Sequence, residues 1–211
     1  LAFHSISQMG YILAAFGAAT SGAIGAVYGH SIAHALFKSL LFLAAGTAIE
    51  VCGTRNLFEM RGLFRRSPVV AVALLVGSLS IAALPPFNGF ASKQLTTAAV
   101  PGGFASALLL ITSIGTVASF VKVGRIAFVR SEGEARTERN DSRLLTTVSL
   151  VALSLLCLAT GLFANPLARM LHRALAAGTT FVGSAEFPAI ADAVEVKGAF
   201  SQAKLVETLW V

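Results

Sequence analysis

Apolar residues in this chain come in long uninterrupted runs separated by short polar linkers. The runs cover residues 1–19, 23–49, 69–100, 104–128 and 144–163. A membrane-spanning helix needs roughly 20 mainly apolar residues, so the pattern predicts an all-α integral membrane protein. It predicts about five transmembrane helices in one bundle over 1–163, with the third run broken at Pro85 and Pro86. From residue 164 the pattern changes. Leu167, Met170, Leu171 and Leu175 share a helical face opposite Arg169 and Arg173, which predicts an amphipathic or interfacial tail over 164–211. From Ser184 onward the expectation is weak amphipathic helix or disorder.

Lys and Arg placement orients the bundle. The linker after the second run holds Arg55, Arg61, Arg65 and Arg66, and the linker after the fourth holds Arg130, Arg136, Arg139 and Arg143. The linkers after the first and third runs hold none. The alternation places the arginine-rich loops in the cytoplasm. The chain is expected in a prokaryotic cell inner membrane.

Composition agrees with this reading. Of 211 residues, 55% are hydrophobic and 12% charged, where soluble domains carry about 25% charge. Mean hydropathy is +0.78. The net charge is +6, but no Lys/Arg stripe interleaves with aromatics, so nucleic acid is not an expected partner. Cys52 and Cys157 lie far apart without metal spacing and read as ordinary thiols. The chain opens on Leu inside an apolar run, which reads as a piece lacking its N-terminal part, with no signal peptide visible.

Three nitrogen-bearing side chains interrupt the second run. His30, His34 and Lys38 are spaced four apart, so a helix places them on one face in a stripe about 12 Å long. The run is centred near residue 36, at mid-bilayer. A charge there costs at least roughly 3 kcal/mol, so the stripe must face protein or water. Burial disfavours the charged forms of such groups, and bases held this way can exchange protons near neutral pH, as a relay requires. The plainer alternative is a hydrogen-bonded core histidine with a snorkelling lysine. Two His at i, i+4 can serve zinc, but no carboxylate or thiol lies nearby in sequence and HExxH is absent, so no metal is expected.

The third run contains LPPFNG. Pro85 and Pro86 lack N–H groups and clash with carbonyls one turn earlier, at Ile81 and Ala82. Asn88 and Gly89 are turn formers, and Pro85, Pro86, Asn88 and Gly89 together mark a helix break. In a membrane, irregular backbone is tolerated only inside protein or against a water-filled cavity, and broken helices mark ion sites in transporters. Lys93 follows the restart within about a turn. It is expected near the positive end of the second half-helix, which opposes its charge. The alternative is a lysine snorkelling from a simple proline kink. His4, Ser5, Ser7 and Gln8 open the first run and are weaker candidates.

In order, "LAFHSISQMGYILAAFG", "GHSIAHALFKSLLFLAAG", "MRGLFRRSP" and "LPPFNGFASK" resemble antiporter-like subunits. These are the large membrane subunits of respiratory complex I, Mrp-type sodium/proton antiporters and membrane-bound hydrogenases. The resemblance covers about the first 100 residues. It implies inverted five-helix repeats, each with a broken helix, this chain holding the end of the second repeat and the helices after it. His30, His34 and Lys38 match the family's polar residues of the unbroken central helix. Lys93 matches the ionisable residue after the break, which is Lys in some members and Glu in others. The family's Glu and Lys pair of the first repeat falls outside this sequence. His4 departs from the family, which usually has a small hydroxyl residue there.

The expected function is therefore a proton- or sodium-translocating membrane subunit. Protons would pass along His30, His34 and Lys38, and Lys93 would exchange them with one side. Alternatives are a small-solute secondary transporter or a non-conducting scaffold. No catalytic residue, phosphate loop or flavin signature is present, so no cofactor is expected, and any redox chemistry would belong to partner subunits, as in an NADH:quinone oxidoreductase-type complex. The expected partners are other membrane subunits, the lipid bilayer and H+ or Na+.

Overall fold

The computed structural model describes residues 1–20, 22–56, 62–128, 143–167 and 169–170. Arg61, Arg130, Arg136 and Arg139 of the two linkers lie outside these residues, as do Leu171, Leu175, Arg173 and the tail beyond 170. Seven helices are described: α1 (Ala2–Ala18), α2 (Ala23–Cys52), α3 (Leu63–Arg66), α4 (Pro68–Ile81), α5 (Asn88–Ala99), α6 (Phe104–Phe128) and α7 (Arg143–Leu162). No strand occurs among the described residues. Three helices, α2, α6 and α7, contain stretches long and apolar enough to cross a membrane. The first predicted run forms α1, with 17 residues. The third forms two short halves, α4 and α5, separated by the predicted break.

The central element is α2. At 30 residues it is about 45 Å long, and it packs against α1, α4, α5 and α7. Its core face carries Phe37, Leu40, Leu41 and Ala44, all fully buried. Gly77 of α4 lets that helix close on Leu41, since a Cβ there would stand 2.8 Å from Leu41 Cγ. Gly53, with φ 68°, ends α2, and its N–H donates to Ile49 O, a left-handed cap that glycine adopts at little cost. Pro68 opens α4, where its missing N–H is no loss. At the other end of the bundle Thr20 Oγ1 donates to Ala99 O at 2.8 Å, tying the α1–α2 turn to the end of α5.

The break spans Ala82 to Phe87. α4 closes with Ala83 N–H on Ser80 O and Leu84 N–H on Leu79 O, both at 3.0 Å. This is the paired bonding of a Schellman cap. Ala83 takes the left-handed position at φ 61°. Asn88 and Gly89, expected as turn formers where the helix restarts, are the first residues of α5. The restart presses so closely on α4 that a Cβ on Gly89 would meet Ser80 O at 1.6 Å. Helix α7 seats against the break through Gly161, whose Cβ would lie 2.1 Å from Pro86 O.

Candidate functional site

The two halves of the broken helix bring Lys93 inside. Its side chain is 4% exposed, and Nζ donates to Ile81 O at 2.9 Å. The partner follows from the sequence. In an unbroken helix Ile81 O accepts the N–H of residue 85, and Pro85 has none. The lysine ammonium supplies the missing donor. The expectation that Lys93 sits against the positive end of α5 is therefore incomplete. Its side chain reaches across the break to the carbonyl end of α4, where a positive charge is favoured.

The α2 stripe lies beside it. His30 is fully buried and Lys38 is 6% exposed, while His34 is half-buried. His30 and His34 stack with ring centroids 6.5 Å apart, and Phe37 packs edge-on against His34 at 5.4 Å. His30 Nδ1 lies 3.1 Å from Ser92 Oγ, and Ser92 Oγ donates to Gly89 O at 3.3 Å. With the hydroxyl hydrogen used on Gly89, His30 Nδ1 is the donor to Ser92 and Nε2 the bare acceptor. The Nε2 atoms of both His30 and His34 are buried without a hydrogen-bond partner. One turn further, Lys38 Nζ donates to Leu1 O at 2.6 Å and stands 5.4 Å from the Phe42 ring.

The structure thus groups His30, His34, Lys38 and Lys93 around the α1–α2–α5 junction. It also adds Tyr11 and Ser92, which sequence reasoning passed over, and draws in three of the weaker candidates of the first run. Tyr11 is 1% exposed. Its ring lies 5.1 Å from Lys93 Nζ and 5.7 Å from the His30 ring, and its hydroxyl donates to Leu109 O on α6. Ser92 links α5 to His30. Gln8 is fully buried with both amide atoms unpartnered, as are His4 Nδ1 and Ser7 Oγ. Residues 4, 7, 8 and 11 share one face of α1, a spacing that could have added Tyr11 to the candidates of the first run. Asn88 and Ser80, beside the break, are also buried, and the Cys157 thiol of α7 lies against both. Among the described residues no three His, Cys, Asp or Glu side chains gather as a metal site would require.

Such an arrangement, apolar spanning helices around a seam of basic and amide groups beside a broken helix, defines an integral membrane protein with a polar interior. The family described as NADH:quinone oxidoreductase/Mrp antiporter, TM, matches residues 1–122. The chain belongs to this family. It is 34% identical over 203 residues to formate hydrogenlyase subunit 3 of Escherichia coli K12, covering 83% of this chain and 33% of that protein. It is 37% identical over 141 residues to NADH-quinone oxidoreductase subunit L of Pseudomonas aeruginosa, covering 65% of this chain and 22% of that protein. A chain of the Mrp complex from Dietzia sp. DQ12-45-1b superposes with a TM-score of 0.69 at 28% identity, covering 79% of this chain and 40% of that chain. The chain therefore spans about a third or less of the length of these curated relatives.

Proposed function

We propose that this chain forms part of a proton- or sodium-translocating subunit of a multi-subunit membrane complex, of the complex I, Mrp antiporter or hydrogenase kind. The observation that carries the reading is the pair of buried, unpartnered Nε2 atoms on His30 and His34, set between the amines of Lys93 and Lys38 on adjoining surfaces of α2 and α5. A buried polar atom without a partner costs about 1–3 kcal/mol, and two on one face of a spanning helix are a poor choice for packing alone. On His30, whose Nδ1 faces Ser92, Nε2 is a ready acceptor, and either tautomer of His34 can exchange a proton with a bridging water. Protons pass along His30, His34 and Lys38, and Lys93 exchanges them with one side. Glu50, exposed at the end of α2, is the one carboxylate among the described residues, so within them the seam offers a sodium ion no counter-charge. The arginine-rich loops face the cytoplasm, the membrane is a prokaryotic inner membrane, and the partners are further membrane subunits, as the names of the relatives suggest.

The test uses the full-length subunit in its complex. Lys38→Met and His34→Ala should each lower ion pumping about a hundredfold or more, the scale on which positioned proton-transfer groups contribute, with assembled protein held comparable. Pumping at the parental rate in both variants overturns the proposal.

A further inference from the structure

A groove of about 510 Å³ lies between α4 and α7, and no residue of the His–Lys seam lines it. Val69, Val72 and Val76 form one wall, and Val151, Leu155 and Leu158 the other. The single hydroxyl on the wall, Ser154, is already spent on Leu150 O at 2.7 Å. The two helices run side by side in the same direction, since their later turns meet where Gly161 abuts Pro86 and Asn88. Phe87, in the break, also lines the groove.

Three features of the groove select an occupant. Pro68 to Val76 spans about 12 Å of helix, close to the roughly 15 Å depth of one leaflet of the hydrocarbon core. An extended peptide would bring backbone groups that its apolar walls cannot satisfy. Finally, Phe64 and Pro68, which both line it, bracket Arg65 and Arg66 in the chain. Arg65 is exposed and Arg66 half-buried, so two cations stand at the end of the groove where α2 also ends.

We infer that the groove binds an anionic phospholipid, with one acyl chain between α4 and α7 and the headgroup phosphate on Arg65 and Arg66. Guanidinium groups suit phosphate through paired hydrogen bonds, and anionic headgroups attract basic residues at a membrane surface. The chain would end against Phe87, so the lipid would touch the broken helix directly.

The full-length subunit in its complex is placed in nanodiscs of phosphatidylcholine mixed with phosphatidylglycerol. Retained lipid is then counted by native mass spectrometry after transfer to detergent. The combined Arg65→Gln and Arg66→Gln variant should bind one fewer phosphatidylglycerol, with affinity about 30-fold weaker, from two arginine contributions at a membrane surface. Val72→Trp, which fills the groove, should lose the same lipid, and Val151→Phe serves if the tryptophan variant does not assemble. Arg169→Gln, an exposed arginine beyond the far end of α7, should retain it. Retention in the arginine variant overturns the inference. So does loss in the arginine variant with retention in the filled-groove variants, which marks a phosphate site without an acyl groove. A photoreactive side chain at Val72 that labels polypeptide and not lipid overturns it as well.

Discussion

Lys93 holds two relationships at once. It donates to the carbonyl that Pro85 leaves bare, and it lies over the ring of Tyr11. A snorkelling lysine would reach for the interface; this one turns inward. Two substitutions separate its structural and chemical parts. Lys93→Arg keeps a donor for Ile81 O but cannot give up its proton. It should leave assembly near parental and reduce proton uptake into sealed vesicles about a hundredfold or more. Parental uptake would make Lys93 an anchor. Lys93→Met removes the donor as well and should also destabilise the subunit by about 1–3 kcal/mol, the cost of an unpaired buried carbonyl. Tyr11→Phe keeps the ring and loses the hydroxyl that holds Leu109 O. Thermal unfolding should show a loss of about 1–2 kcal/mol, with flux per assembled complex retained because the ring still faces Lys93.

Among the elements, the break is where local chemistry is tightest. Gly89 and Gly161 each stand where a Cβ would run into backbone, and backbone cannot rotate aside as a side chain does. Gly89→Ala and Gly161→Ala should each cost about 3 kcal/mol or more, read as a fall in assembled subunit in the membrane. Ala83 is the reverse case. It occupies a left-handed position that costs an L-residue roughly 1–2 kcal/mol, so Ala83→Gly should be neutral or stabilising by up to about 1 kcal/mol. A clear loss of stability would contradict the cap geometry. The break itself was legible because proline acts on its own backbone, and the stripe because residues four apart on a helix share a face. The partner of Lys93, the closeness of Gly161 and the position of Tyr11 were not. Each depends on which helices meet, and apolar runs of similar composition say nothing about their neighbours. The restart at Asn88 or Gly89 was legible from their turn propensity, but the press of Gly89 on Ser80 was not.

For the molecule as a whole, the arrangement of ends is the testable property. The α2–α3 corner holds Arg55, Arg65 and Arg66, whereas Thr20 and Ala99 are joined at the opposite end. Single cysteines at Thr54 and Gly102 should therefore react with an impermeant reagent from opposite sides of the membrane. Labelling of both from one side would refute the path of the chain through α4 and α5. Much of the surface is apolar, with Phe3, Phe104 and Leu145 each more than three-quarters exposed. That is the exterior expected of helices that meet lipid or other membrane helices, and hydropathy alone foretold it.

One bond links these scales. Because Nζ of Lys93 stands in for a peptide donor, the last turn of α4 is completed by a side chain from the other half of the helix. Were that amine to leave its carbonyl, a helix end would be uncapped, and its return would close it. Ionic traffic through this lysine would thus carry a mechanical beat, one opening and closing of a backbone joint for every visit.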